Sequence, residues 1–122
     1  MVNVDSWWDS LTRDRFRAVL ELVLAVISDD YMTLEIILKT LNEWGTEENS
    51  ADWPARSALP VSRPEVTRAL RELIREKYVD PCIFVGQEAQ VVELQEITVQ
   101  DVWFCATQKG VNAAKRIQGA DL

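Results

Sequence analysis

Residues 62–73 read SRPEVTRALREL. Ser62 followed three positions later by Glu65 is a capping box, in which each residue satisfies a backbone N–H that the first helical turn leaves unpaired. Pro64 falls inside that first turn, where a missing N–H costs nothing. Val61 and Val66 stand at the two positions of a hydrophobic staple, which fixes the angle at which the chain enters the helix. A helix is therefore predicted to start at Ser62. Within it Val66, Ala69, Leu70, Leu73 and Ile74 form one apolar stripe. At about 100° per residue, Arg68, Arg71 and Arg75 gather on the opposite side, with Glu65, Glu72 and Glu76 along one flank and Thr67 on the other. That basic side has two readings. It is either a solvated face whose charges pair internally, as Glu65 with Arg68, Arg68 with Glu72 and Glu72 with Arg75, or a face kept for an anionic partner.

Upstream, two further helical patterns appear. Phe16, Val19, Leu20, Val23, Leu24 and Ile27 recur at the spacing of one helical face, in a helix expected to start near Ser6 or Ser10 and to end at about Ile27. Leu22, Ala25 and Val26 widen that face until little polar surface remains, so the helix must be buried on several sides. It either forms the centre of the domain or spends part of the excess on a second copy, a contact that Trp7, Trp8, Leu22 and Val26 would make. In SDDYMTLEIILKTLNEWG, Tyr31 and Met32 suit a very short strand. Thr33 is an N-cap, Leu34, Ile37, Leu38, Leu41 and Trp44 are the buried stripe, and Gly45 is the stop. TEENSADWPARSALP, residues 46–60, has no period and reads as a loop with a short helical turn around Ala55 to Leu59. Trp53 within it would either cover the core or meet a partner.

Downstream of Tyr78 the period changes. VDPCIFVG and DVWFCAT are short runs of β-branched and aromatic residues and read as two paired antiparallel strands. The intervening QEAQVVELQEITVQ is too long for a tight turn, so either the hairpin arms are long or the loop is wide. TQKGVNAAKRIQG gives a last helix capped by Thr107, ended by Gly119 and packed through Val111, Ala114 and Ile117.

The 122-residue chain is 48% hydrophobic and 27% charged, an ordinary globular balance for one domain. Phe16 to Ile27, the longest apolar stretch, contains Arg17 and Glu21 and is shorter than the ~20 residues of a bilayer span. The N-terminal MVNVDSWWDS lacks the basic start of a secretory signal, and a cytoplasmic protein is expected. Two cysteines, Cys82 and Cys105, are too few for a disulfide scaffold or a four-thiolate zinc site, and reduced buried thiols are expected. The chain has no histidine, which removes histidine ligation and histidine general-base chemistry. There is no Gly-rich phosphate loop or nucleophile elbow, so neither an enzyme nor a cofactor is implied.

Helix, short strand, helix, helix, strand, strand, helix resembles the winged helix-turn-helix family over roughly residues 15–118. LPVSRPEVTRALRELIREKYV is similar to the family's turn and third helix, FCATQKG to the second wing strand entering the last helix, and YMTLEIIL to the first strand and second helix. The resemblance implies an α+β, mostly helical fold: a three-helix core, a β-hairpin wing and a short C-terminal helix. It divides a single domain, residues 1–122, into an N-terminal helix (1–30), a helix-turn-helix (31–77) with a connecting loop (45–61), a wing (78–106) and a C-terminal helix (107–119). The connecting loop is longer than the simple motif's turn. Between Gln87 and Asp101 the wing carries Glu88, Glu93, Glu96 and Asp101 and no Lys or Arg, which suits phosphate poorly.

In the family the third helix enters the major groove of double-stranded DNA, and residues near its N-terminus reach bases and phosphates. The matching positions here are Ser62, Arg63, Thr67, Arg68, Arg71 and Arg75. The chain carries a net charge of −7, but Val61 to Lys77 holds five basic and three acidic residues, so the helix is locally +2 and the remainder −9. Screening over ~8–10 Å allows such a divided distribution to bind DNA through one face. The expected function is thus a small DNA-binding transcriptional regulator acting as a homodimer. The alternative is a winged-helix protein-interaction module whose acidic wing and loop face a basic partner.

Overall fold

The computed structural model describes residues 11, 14–28, 30–44, 58–93 and 102–118. Among these, α1 (Arg15–Ile27), β1 (Met32–Thr33), α2 (Leu34–Trp44), α3 (Arg63–Arg75), β2 (Val79–Val85), β3 (Glu88–Val91), β4 (Trp103–Ala106) and α4 (Gln108–Gln118) follow one another along the chain. The fold is α+β, with more residues in helix than in strand. None of the described helices is long and apolar enough to cross a membrane.

Helix α1 begins later than the sequence suggests. Asp14, in extended backbone, accepts a 3.0 Å hydrogen bond from the Arg17 N–H and caps it, so the helix starts at Arg15 rather than near Ser6 or Ser10. From Val19 to Ile27 every residue but Glu21 is buried, because α2, α3, α4 and β4 all pack around this one helix. That burial removes two of the four residues from the expected dimer contact. Leu22 is 0% and Val26 4% exposed within the single chain, so neither is available to a second copy; Trp7 and Trp8 lie outside the described residues.

The N-caps of the other helices are as expected. The Thr33 hydroxyl accepts from the Ile36 N–H at 3.2 Å and opens α2. Leu34, Ile37 and Leu41 of α2 are buried, with Leu38 and Trp44 packed at the margin. At α4 the Thr107 hydroxyl accepts from the Gly110 N–H at 3.0 Å and donates to the Lys77 carbonyl at 2.7 Å. Gly45, Trp53 and Gly119 lie outside the described residues, as does most of the turn expected around Ala55 to Leu59, and the Ile117 side chain is likewise not described.

The sheet has one more strand than the sequence reading supplied. β2 pairs antiparallel with β4, Val79 opposite Ala106 and Cys82 opposite Trp103, as the two apolar runs imply. The segment after Gly86 does not stay a loop: it turns back at once as β3, Val85 opposite Glu88 and Cys82 opposite Val91, giving the order β1-β4-β2-β3. Gly86 has φ +65, which suits the first central position of a two-residue turn and strains any L side chain. Pro81 is tolerated in the central strand β2 because its neighbours do not need its missing N–H. Tyr78 accepts from the Thr107 N–H, so by alternation the Pro81–Phe104 pair is not hydrogen-bonded; toward β3, Pro81 only accepts, from the Val92 N–H at 3.0 Å. Val79 and Phe104 face the helices and are buried, while Phe84, Trp103 and the two cysteines face the other way.

Candidate nucleic-acid interface

The N-terminus of α3 is held by three elements. Ser62 and Glu65 form the full capping box, the Glu65 carboxylate accepting the Ser62 N–H at 3.0 Å. The same carboxylate takes the Arg15 guanidinium of α1, with Arg15 Nη2 to Glu65 Oε1 at 3.0 Å, and Arg15 also donates to the Pro60 carbonyl. Arg15 first, and the Ser62 N–H second, hold the Glu65 carboxyl down at about 2. From α2, Asn42 brackets Val61: its Oδ1 accepts the Val61 N–H at 2.9 Å and its Nδ2 donates to the Val61 carbonyl at 3.3 Å. Val61 and Val66, the staple pair, are both buried. The other end of α3 closes in a Schellman motif. Tyr78 N–H reaches the Leu73 carbonyl at 2.9 Å, Lys77 N–H reaches Ile74, and Lys77 takes φ 69 in the left-handed region between them.

With both ends fixed, the orientation of the helix is set. Val66, Ala69, Leu70 and Leu73 are buried, and Arg63, Arg68, Arg71 and Arg75 are exposed. An open groove of about 500 Å³ runs along that face, lined by Arg63, Pro64, Thr67, Arg68, Arg71 and Glu72. Ser62 stands at its end, occupied by its own cap.

The four arginines are not equivalent. Arg63 pairs with Glu35 of α2. Arg75 is shared between Glu72, at 2.9 Å from its Nε, and Glu76, at 2.8 Å from its Nη1, and these contacts hold its pKa above the usual value. Arg68 lies over the Phe16 ring, its guanidinium carbon 4.0 Å from the centroid. Arg71 makes no ion pair among the described residues. Of the three internal pairs that the helix spacing allowed, only Glu72–Arg75 forms, because Glu65 is drawn away by Arg15 and Arg68 by Phe16. The contacts Arg15–Glu65, Arg63–Glu35 and Arg68–Phe16 link residues far apart in the chain. Local spacing held no signal for them, and Phe16 read only as part of a core stripe.

On the outer face of the sheet, Cys82 and Cys105 are both free thiols, Cys82 buried and Cys105 half-buried, with their sulfurs 3.7 Å apart. Burial pushes Cys82 up to about 12 and raises Cys105 too, so both thiols stay protonated at neutral pH. Among the described residues no cluster of three or more metal-ligating side chains occurs. No protein-family model, curated protein sequence or solved structure matches the chain.

Proposed function

We propose that the chain is a small DNA-binding regulator with a winged-helix-like arrangement, and that α3 is the element that enters the major groove. The observation that carries this reading is the exposed face of α3, where Arg68 and Arg71 pair with no carboxylate among the described residues and stand beside Thr67, while the opposite face is locked into the core. Arginine in this position suits both guanine edges and phosphate oxygens. Stacking on Phe16 holds the Arg68 guanidinium without neutralising it, which lowers the ordering entropy that binding would otherwise cost. Arg63 and Arg75 contribute less, since each must leave a carboxylate to meet phosphate. The β1-β4-β2 order beside three helices also supports the arrangement, with β3 as an addition to it.

The test is binding to mixed-sequence duplex DNA at low salt, followed by Arg68→Ala and Arg71→Ala. The reading requires binding that each substitution weakens; a protein that does not bind, or that binds regardless of both changes, overturns it. A protein-interaction module is favoured by a different observation, the outer sheet face, where Tyr31, Phe84 and Trp103 stack edge to face with centroids 5.2 and 5.6 Å apart and Phe84 is 42% exposed.

A further inference from the structure

Among the described residues, strand β3 is the outermost strand of the sheet, and its hydrogen-bonding pattern shows which of its backbone groups β2 leaves unused. Val92 donates to Pro81, so the Pro81–Val92 pair is a bonded one, and alternation makes Ile83–Gln90 and Val85–Glu88 bonded as well. The N–H and C=O groups of Ala89 and Val91 therefore point away from β2, along an edge that no described strand occupies. Their side chains project from the outer face beside Phe84 and Cys82, and Val91 is 65% exposed.

We infer that this edge is where a second copy of the chain pairs, β3 against β3 in antiparallel register about Gln90. The register follows from the free groups. Placing Gln90 opposite Gln90 of the second copy sets Ala89 opposite Val91 twice, so the unused donors and acceptors meet and two apolar cross-strand pairs form on the outer face. In the same register Glu88 of the second copy stands opposite Val92, and Glu93 stands opposite Gln87, so no carboxylate faces another. Val92 lines a groove of about 560 Å³ between the end of β3 and the C-terminal half of α3, whose charged lining is Arg71, Arg75 and Lys77 with Asp80 and Glu93, so cations outnumber carboxylates. Glu88 of the second copy thus stands at the mouth of a groove whose lining is net positive. This charge match, repeated by symmetry, selects a second copy over a foreign strand; a single offset in register would instead leave Val91 opposite Gln90. The interface is isologous, as a two-fold dimer requires. It uses neither Leu22 nor Val26, which are buried within the single chain, and it does not depend on DNA binding.

The experiment is sedimentation equilibrium of the full chain without DNA, over micromolar to millimolar concentration, together with amide hydrogen exchange. A dimer is expected, with the Ala89 and Val91 amides protected in proportion to dimer content. Ala89→Pro removes an edge donor that β2 does not use and is expected to raise the dimer dissociation constant at least tenfold with an unchanged far-UV spectrum. Val91→Lys serves as a second variant with the same expectation. Glu88→Lys is expected to weaken association about threefold. A monomer at millimolar concentration overturns the inference. So does a dimer indifferent to both Ala89→Pro and Val91→Lys, a dimer whose Ala89 and Val91 amides exchange freely, or a monomer that takes up an unrelated extended peptide at this edge.

Discussion

The guanidinium of Arg68 rests on the ring of Phe16, joining the exposed face of α3 to the first turn of α1. A cation over an aromatic face at a partly exposed site is worth about 0.5–1 kcal/mol. Phe16→Leu keeps apolar volume and removes the ring quadrupole. On the proposed reading it weakens DNA binding about three- to fivefold, measured by fluorescence anisotropy, and in urea it is expected to cost about 1 kcal/mol of stability.

Arg68 and Arg71 should differ in what their removal does. Arg71→Ala, proposed as a phosphate contact, is expected to reduce the slope of log affinity against log salt by about one and to weaken all sequences alike. Arg68→Ala, at a guanidinium already oriented toward the groove, is expected to cost about 1–3 kcal/mol and to relax discrimination between sequences. Titrations at several salt concentrations separate the two.

Glu65 predicts an acid-sensitive N-terminus for α3. Its folded-state pKa of about 2 lies below the ordinary 4.5, so its contribution is complete above about pH 4.5 and is lost as pH falls toward 2. Solvent reaches the pair, which keeps the contribution modest. Glu65→Gln is expected to lower stability at pH 7 and to flatten the pH dependence of the urea midpoint between pH 5 and 2.

Lys77 and Gly110 predict opposite responses to small changes. Lys77 occupies the left-handed position that closes α3, where glycine has no steric cost, so Lys77→Gly is expected to stabilise the fold by up to about 1 kcal/mol. A Cβ at Gly110 would meet the Tyr78 carbonyl oxygen at 2.0 Å, so Gly110→Ala is expected to destabilise by about 3 kcal/mol. Thermal melts of the two variants check both signs.

The cysteines should be slow. Cys82, pushed up to about 12, and Cys105, raised by burial, are expected to react with a thiol reagent at pH 8 far more slowly than a free thiol and to release two equivalents rapidly on denaturation.

What could be read from the sequence was whatever the chemistry of neighbouring residues decides. Ser62, Glu65 and Val66 specify a helix start and a buried side within a few positions, and Thr33 and Thr107 do the same. β3 was missed because Glu88, Ala89, Gln90 and Val91 are all exposed, so no alternation of apolar and polar residues marked the strand. Its signal was the φ > 0 glycine at Gly86 after an apolar run. The late start of α1 depended on Asp14, one of several polar residues able to cap. At the candidate site, the exposed arginines were legible from periodicity, but their inequality was not, because Glu35, Phe16 and Arg15 come to α3 only through the tertiary fold.

Pro81 has a consequence for how the sheet can be assembled. Its ring fits β2 only where the strand turns a non-bonding position toward β4 and has reached the end of its ladder with β3. A slip of one residue would turn the same ring toward a β4 carbonyl that needs a donor, and would rotate Phe104's partners out of the core. The proline therefore works as an indexing pin: it adds no hydrogen bond of its own, yet of the neighbouring ways to thread β2 between β4 and β3 it leaves one.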